Sequence, residues 1–326
     1  MIPSIPPGIF RLLLAGLVVI SHLSNLEIGR PAVFAFFALS GYWVTRMYVE
    51  KYSKYSDVTV FYTSRALRIF LPFFAAYVTF FCIFAWTYGD PDYSKLLGLP
   101  IFGIATTQND VLGVSWSLDL ELQFYLLVPL IAGLAASLRS PARASAAIIL
   151  LSIFLLPVGW YLQMNVGIWT VFMYLPSFAI GIAIYLTDWK PRKTTAYASA
   201  AGFILIGVVV WIWDDARPLL LKNTVSPFNE DWFGMIWTAA LIPFYAFNVA
   251  QKSGKLDRHF GNMSYALYIT HWPVIALYGH FFGPIQTPDK VIVLAVVALS
   301  TCIFYAIVEV PSEKVRASIV SKLASR

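Results

Sequence analysis

The sequence IFRLLLAGLVVISHLSNL, residues 9–26, is an apolar run of 18 residues in which Arg11 is the one charged side chain. A helix needs roughly 20 mainly apolar residues to cross a hydrocarbon core of about 30 Å. Similar runs recur along all 326 residues, and the chain is 59% hydrophobic and only 12% charged. An ordinary soluble domain carries about twice that share of charge. The sequence therefore predicts an all-α integral membrane protein and excludes a water-soluble one.

Apolar runs between charged or Pro/Gly breaks predict about ten transmembrane helices. The predicted spans are residues 9–26, 31–49, 70–88, 118–137, 144–162, 168–187, 195–213, 232–250, 263–282 and 291–309. Residues 96–105 form a further apolar stretch that suits a re-entrant or interfacial segment. No loop is long enough for a separate soluble domain, so we expect residues 1–326 to form a single transmembrane domain around a central cavity.

Lysine and arginine are concentrated in alternate loops. Short cytoplasmic loops are enriched in these residues, so both termini are predicted to face the cytoplasm. With that orientation 17 Lys and Arg side chains, Lys54 and Arg326 among them, lie on the cytoplasmic side and 5 on the opposite side. Membrane topology thus explains the pI near 9.2 without a nucleic acid partner.

The cysteines and most histidines suggest packing rather than chemistry. Cys82 and Cys302 fall inside apolar runs, so neither a disulfide framework nor a cysteine metal site is expected. His271 lies within the ninth predicted span, where a buried structural hydrogen bond is its expected role, and Pro273 is expected to break that helix locally. No metal site is predicted.

Arg11 and His22 form a polar stripe on the first predicted helix. A central arginine costs about 2.5–3.5 kcal/mol on insertion scales, so Arg11 is expected to face protein or water. His22 follows eleven residues later, which is close to three full turns, so both side chains share one face and differ by roughly 16 Å in depth. The alternative is that Arg11 extends to the cytoplasmic headgroups and His22 hydrogen-bonds a neighbouring helix.

The fourth span opens with SWSLDLELQFY, residues 115–125, which places Asp119 and Glu121 at its outer end. Residues two apart on a helix point about 200° apart, so only one carboxylate faces a given cavity. Each acid shares its face with the residue four positions later. When a carboxylate and an imidazole lie at similar depth, the acid can orient the base. We therefore expect Glu121 to pair with His22. Asp119 is expected to be an interfacial acid in contact with water.

Arg65 and Arg68 lie three residues apart just before the third predicted span. On a helix this spacing directs both guanidinium groups to one place, where they are suited to bind phosphate. The cytoplasmic enrichment in basic residues explains the pair equally well.

Taken together, these segments resemble acyltransferase family 3, the multi-pass bacterial acyltransferases that modify surface polysaccharides, lipopolysaccharide and related glycans. The resemblance spans nearly the whole chain. It is carried, in order, by Phe10-Arg11 with His22 after ten residues, Phe36-Phe-Ala-Leu-Ser-Gly41, Arg65 with Arg68, Trp116-Ser-Leu, Glu121 with Gln123-Phe-Tyr125, Ser264-Tyr265 to His271-Trp-Pro273, and Glu309-Val-Pro311. The chain departs from the family at Leu122 and Val310, where a second acid and an arginine are common.

The resemblance implies a membrane O-acyltransferase of the bacterial inner membrane. The expected reaction moves an acyl group, most often acetyl, from cytoplasmic acyl-CoA to a hydroxyl of an exopolysaccharide, lipopolysaccharide or related glycan, with acyl-CoA as co-substrate and no metal. Arg11, Arg65 and Arg68 are expected to bind the donor. His22 is expected to act as the base and Glu121 to orient it; a covalent acyl-histidine stays open. The partners implied are membrane lipid and a carbohydrate or lipid-linked acceptor.

Two other classes of protein fit some of the same residues. Intramembrane Arg, His and Glu also mark substrate or proton pathways, which favours a transporter or flippase of a glycan or lipid-linked intermediate. No internal repeat is evident between the two halves of the sequence, which weakens that alternative. A non-catalytic membrane subunit of a polysaccharide assembly complex is the third possibility.

Overall fold

A computed structural model describes residues 4–53, 58–89, 91–107, 109–222, 224–225 and 228–325. Lys54 and Arg326, which were counted among the predicted cytoplasmic charges, lie outside these residues. The described chain is helical and contains no β-strand. A single isolated antiparallel bridge joins Leu26 and Leu221 within it.

Thirteen α-helices form within the described ranges. They are α1 (Pro7–His22), α2 (Gly29–Met47), α3 (Val58–Tyr88), α4 (Ile104–Thr107), α5 (Trp116–Ser137), α6 (Pro141–Tyr161), α7 (Val171–Thr187), α8 (Lys193–Ile212), α9 (Glu230–Ala239), α10 (Ile242–Val249), α11 (Lys255–Phe282), α12 (Asp289–Phe304) and α13 (Val310–Ala324). Short π-helical turns extend α2, extend α6 and join α12 to α13; they are Tyr48–Tyr52, Leu162–Val166 and Tyr305–Glu309.

Each predicted span contains a helix or a pair of helices, and the helical membrane class is confirmed. Six helices of the described chain are long and apolar enough to cross a membrane. The pair α9 and α10, bent by 58°, makes a seventh if it is one span. The predicted count of ten is not confirmed, because α1 and α7 are apolar but short and α11 is long but interrupted by polar side chains.

The described helix α11 runs without interruption from Lys255 through Pro273 to Phe282, so the predicted local break is wrong. Side chains supply hydrogen bonds to the carbonyls in the turns before the proline. Thr270 donates to the carbonyl of Ala266 (2.8 Å), and His271 donates to that of Tyr268 (2.8 Å).

The chain divides into two compact units. The first comprises Met1–Thr45, Leu134–Leu156 and Tyr174–Ser264, and the second comprises Arg46–Gly133, Pro157–Met173 and Tyr265–Arg326. Arg11 and His22 belong to the first unit, whereas Arg65, Arg68 and Glu121 belong to the second.

In the first unit, α2 and α7 approach each other through glycine. A Cβ atom added to Gly41 would overlap the carbonyl of Phe178, and one added to Gly181 would overlap the carbonyl of Ala38. Phe37 stacks on Phe178 beside this contact, with ring centroids 4.6 Å apart. Small residues that let helix backbones touch are the usual means of packing helices in membranes.

In the second unit, the segment before α5 is tied to α3 and α11. The hydroxyl of Tyr77 donates to the carbonyl of Asn109 (2.7 Å). Gly113 has a φ of 71° and lies against the ring of Trp272, where a side chain would collide with the indole. Nearby, Leu97 and Phe102 are 67% and 58% exposed, which suits the predicted interfacial segment.

Candidate functional site

The polar stripe on α1 faces away from the exposed side of that helix. Leu13 and Ile20 are its exposed apolar residues, at 52% and 44% exposure. At 100° per residue they lie about 180° around the helix from Arg11 and His22. Both polar side chains are half-buried and interact with other groups of the protein. Arg11 and His22 therefore lie on the same face of α1, as predicted, and this face is opposite the exposed apolar face.

The N-terminus of α1 is capped by a carboxylate from α11. Asp257 accepts hydrogen bonds from the backbone N–H groups of Gly8 (3.1 Å) and Ile9 (2.9 Å), and it is 7% exposed. Helix N-termini leave backbone donors unsatisfied, and a negative charge there is favourable. A Cβ atom on Gly8 would overlap the backbone of Asp257, so glycine is required for this close approach.

The other end of α1, which carries His22, is held by the segment before α9. The ammonium group of Lys222 donates to the carbonyl of Ser21 (2.5 Å), and the backbone N–H of Glu27 donates to Leu220 (2.8 Å). Burial lowers the pKa of Lys222; Glu27 opposes this shift and Arg30 adds to it. Both ends of the stripe are thus fixed within the first unit by contacts distant in sequence.

In the second unit, α3 and the end of the chain form an arginine cluster, which we define as Arg65, Arg68 and Arg316 with the acids Glu309 and Glu313. Arg68 donates to Glu309 at 2.5 Å, and its Nη1 atom lies 3.6 Å from Glu313. Glu309 is 1% exposed and ends the π-helical turn between α12 and α13. Such turns in otherwise regular helices are frequent at functional sites.

Arg65 is the most deeply buried cation of the arginine cluster. It is 8% exposed, and its Nε atom makes no hydrogen bond with any residue that the structure describes. Arg316 and Arg68 lie close enough to repel it. Arg65 and Arg68 both lie on α3, which begins at Val58, well before the predicted start at residue 70, and their guanidinium groups are close enough to interact.

Two tyrosines connect Glu121 with the arginine cluster. Tyr125 donates to Glu121 at 2.6 Å, which confirms that these two side chains share a face of α5. The hydroxyl of Tyr125 lies within electrostatic range of Arg65 and Arg68. The hydroxyl of Tyr265 lies within electrostatic range of Arg68 and Glu121. Three of the predicted site residues therefore belong to one polar group.

Asp119 does not have the expected contact with water. It is 1% exposed and accepts hydrogen bonds from the backbone N–H groups of Gly103 (3.0 Å) and Ala105 (3.1 Å). These groups lie at the start of the short helix α4, where donors have no partner within the helix. The prediction of an interfacial acid is wrong, and Asp119 instead anchors the segment before α5.

His271 has the structural role expected for it. The side chain is fully buried, and its Nδ1 atom lies 2.8 Å from the carbonyl of Tyr268.

Several site residues were missed in the sequence. Glu309 was recognised only as part of the motif Glu309-Val-Pro311 and was given no role at the site. Glu313 and Arg316 have helical spacing, but they lie in a polar tail where such pairs are common. Asp257 had no signal in the sequence, because Gly8, whose backbone N–H it caps, is 249 residues away along the chain.

The fold and these polar groups define an all-helical membrane protein with ionisable side chains buried in its helices. Comparison with known families then identifies it further. The model of acyltransferase family 3, described as an acyltransferase domain, matches residues 8–309. The chain belongs to this family, which confirms the resemblance seen in its motifs and makes it a membrane acyltransferase. Neither the curated proteins nor the solved structures gave a significant match.

Proposed function

We propose that the protein is an O-acyltransferase that moves an acyl group, most often acetyl, from acyl-CoA to a hydroxyl of an exopolysaccharide, lipopolysaccharide or related glycan. The observation that carries this proposal is the arginine cluster. Arg65 is buried beside two other guanidinium groups and its Nε atom lacks an acceptor among the described residues. A buried donor without an acceptor is costly, so the site calls for an anion. Coenzyme A carries three phosphates.

Guanidinium groups suit this task because their planar donors match phosphate oxygens in pairs. Arg65 and Arg68 are proposed to bind the donor phosphates, and Arg11 is proposed to assist them. The cytoplasm supplies acyl-CoA, so the topology that we propose has both termini on that side of a bacterial inner membrane, with the acceptor glycan on the other.

The proposed chemistry is direct transfer of the acyl group. His22 takes the proton from the acceptor hydroxyl while the oxygen attacks the thioester carbonyl. The C–O ester bond forms, the C–S bond breaks, and the proton passes from His22 to the leaving thiolate of coenzyme A. Glu121 is proposed to orient the imidazole and stabilise its cation. These two residues belong to different units, so their pairing stays a prediction.

The proposal is tested by mass spectrometry of surface glycans from three strains: wild type, a deletion strain, and the deletion strain complemented with His22→Ala. We expect an acyl mass that is present in the wild type and absent from the other two. Restoration of the acyl mass by His22→Ala would remove His22 as the base. Glycans unchanged by the deletion would contradict the acceptor class.

Release of free coenzyme A by the purified protein separates an enzyme from the alternatives. A transporter, a flippase or a non-catalytic subunit does not cleave acyl-CoA. We expect release of the thiol that depends on added glycan acceptor.

A further inference from the structure

Glu313 occupies the exposed edge of the arginine cluster in the way that a bound anion would. Arg316 donates from Nε to one oxygen of this carboxylate (2.9 Å) and from Nη2 to the other. Arg68 lies 3.6 Å away, and Arg65 adds electrostatic attraction. Two guanidinium groups of the cluster therefore lie against one carboxylate, whose side chain is 38% exposed, and the third attracts it from further away.

The two acids of the cluster differ in a way that separates their roles. Glu309 is 1% exposed and bound to Arg68, so moving its carboxylate away from this partner would leave a buried negative charge without an ion pair. Glu313 can instead reach water by a change of side-chain rotamer, because it is more than a third exposed. Of the two, Glu313 is the acid that can leave its arginines at low cost.

Arg316 has a second contact that does not depend on Glu313. Its Nη1 atom donates to the hydroxyl oxygen of Ser64 at 2.7 Å. The hydroxyl of Tyr52 donates to the same oxygen, also at 2.7 Å. The guanidinium group therefore stays directed at the cluster when the carboxylate moves away.

We infer that Glu313 is a built-in stand-in for a phosphate, and that Arg316 completes a three-arginine phosphate site with Arg65 and Arg68 from which the ligand displaces Glu313. Carboxylate and phosphate oxygens accept the same paired hydrogen bonds from guanidinium, so one can replace the other. The identification of that phosphate as part of coenzyme A rests on the function proposed above; the site itself rests on the geometry of the cluster.

Displacement of Glu313 by a phosphate predicts an effect of Glu313→Gln on anion binding that an ordinary ion pair does not predict. If no anion binds beside Glu313 and the acid only stabilises the fold, its loss leaves anion binding unchanged or weakens it. If Glu313 competes with the ligand, Glu313→Gln removes both the competitor and the repulsion of phosphate, so binding becomes tighter. Tighter binding on removing an ion-pair partner is therefore the distinguishing result.

The experiment measures binding of inorganic pyrophosphate and of coenzyme A to the purified full-length protein in detergent at low salt. Glu313→Gln should bind pyrophosphate about tenfold more tightly, because one unit of repulsive charge is removed from the site. Arg316→Gln should bind it about tenfold more weakly, because a charge-assisted pair of hydrogen bonds is lost. Lys314→Gln is the matched control: it removes one charge from the exposed side of the same helix and should change binding less than about twofold.

Arg316→Lys guards against loss of folding in the glutamine variant, since it keeps the charge and removes the planar fork. It should weaken pyrophosphate binding while leaving the melting temperature close to that of the wild type. Unchanged or weaker pyrophosphate binding by Glu313→Gln, or unchanged binding by both Arg316 variants, would overturn the inference.

The two ligands keep this inference separate from the proposed function. One outcome is that coenzyme A binds the wild-type protein while the substitutions leave the affinity for pyrophosphate unchanged. In that case Glu313 does not occupy a phosphate site, and the assignment of coenzyme A as donor stands. If pyrophosphate follows the expected pattern but coenzyme A does not bind, the phosphate site stands and the donor assignment fails.

Discussion

At the scale of single residues, the stripe on α1 combines two groups that differ in chemistry and share one direction. Arg11 keeps its charge at any physiological pH, whereas an imidazole accepts and releases protons there. Because both residues lie on the same helix, the distance between them along the axis of α1 is fixed. Two predictions follow from treating one as the base and the other as a phosphate ligand.

Replacing His22 by alanine should abolish acyl transfer while the protein still inserts into the membrane. The reason is that no other described histidine lies on α1, so no neighbouring imidazole on that helix can replace the base. Acyl transfer is measured in membranes with matched protein levels. His280→Ala, a change at an exposed histidine at the end of α11, is the control and should retain activity. Activity of His22→Ala above a few per cent would contradict the assignment.

Replacing Arg11 by lysine should weaken the use of the donor more than the use of the acceptor. Lysine keeps the charge but loses the planar fork that holds phosphate in pairs of hydrogen bonds. The measurement is the apparent KM for acyl-CoA and for the acceptor, with Arg143→Lys as the exposed control. An unchanged KM for acyl-CoA would indicate that Arg11 only reaches the headgroups.

At the scale of elements, contacts at both ends of α1 fix its position, whereas α2 is held by contacts along its length. The cap from Asp257 fixes the height of α1, and therefore of its stripe, relative to α11. Gly41 and Gly181 set the distance between α2 and α7. These contacts leave no room for a Cβ atom at Gly8 or Gly41.

Asp257→Ala should destabilise the protein by about 0.5–2 kcal/mol, the usual cost of losing a helix cap. It should also lower acyl transfer, because the stripe on α1 is no longer held at one height. Thermal unfolding in detergent and acyl transfer are the two measurements. Asp188→Asn removes the charge of an exposed acid with a local lysine partner, keeps a residue type that tolerates the positive φ of 47° at this position, and should change neither.

Gly41→Ala should destabilise the protein by about 1–3 kcal/mol, because the added methyl group forces α2 and α7 apart. Gly133→Ala is the matched control, since it places the same methyl group on a helix where nothing lies within 4 Å. That control should be neutral or slightly stabilising, because alanine favours helix over glycine. Equal melting temperatures for the two variants would show that the close approach of α2 and α7 is unimportant.

At the scale of the whole molecule, the distribution of lysine and arginine predicts the orientation in the membrane. A fluorescent protein fused to the C-terminus should fluoresce, and alkaline phosphatase fused there should be inactive, because both termini are predicted to be cytoplasmic. Alkaline phosphatase inserted between Arg217 and Lys222 should be active. The opposite pattern would reverse the topology and place the arginine cluster on the wrong side for a cytoplasmic donor.

The amino-acid sequence was sufficient to predict the membrane class, the approximate positions of the apolar helices, the family and the common face of Arg11 and His22. These properties depend on hydropathy, on a regular 100° per residue and on short motifs, all of which are local along the chain. Which polar groups meet follows from the packing of the helices: Asp119 contacts the start of α4, Asp257 contacts the start of α1, and Arg68 contacts Glu309, 241 residues away. Such pairs depend on how helices pack, because a buried donor or charge selects its partner from whatever the fold brings near it.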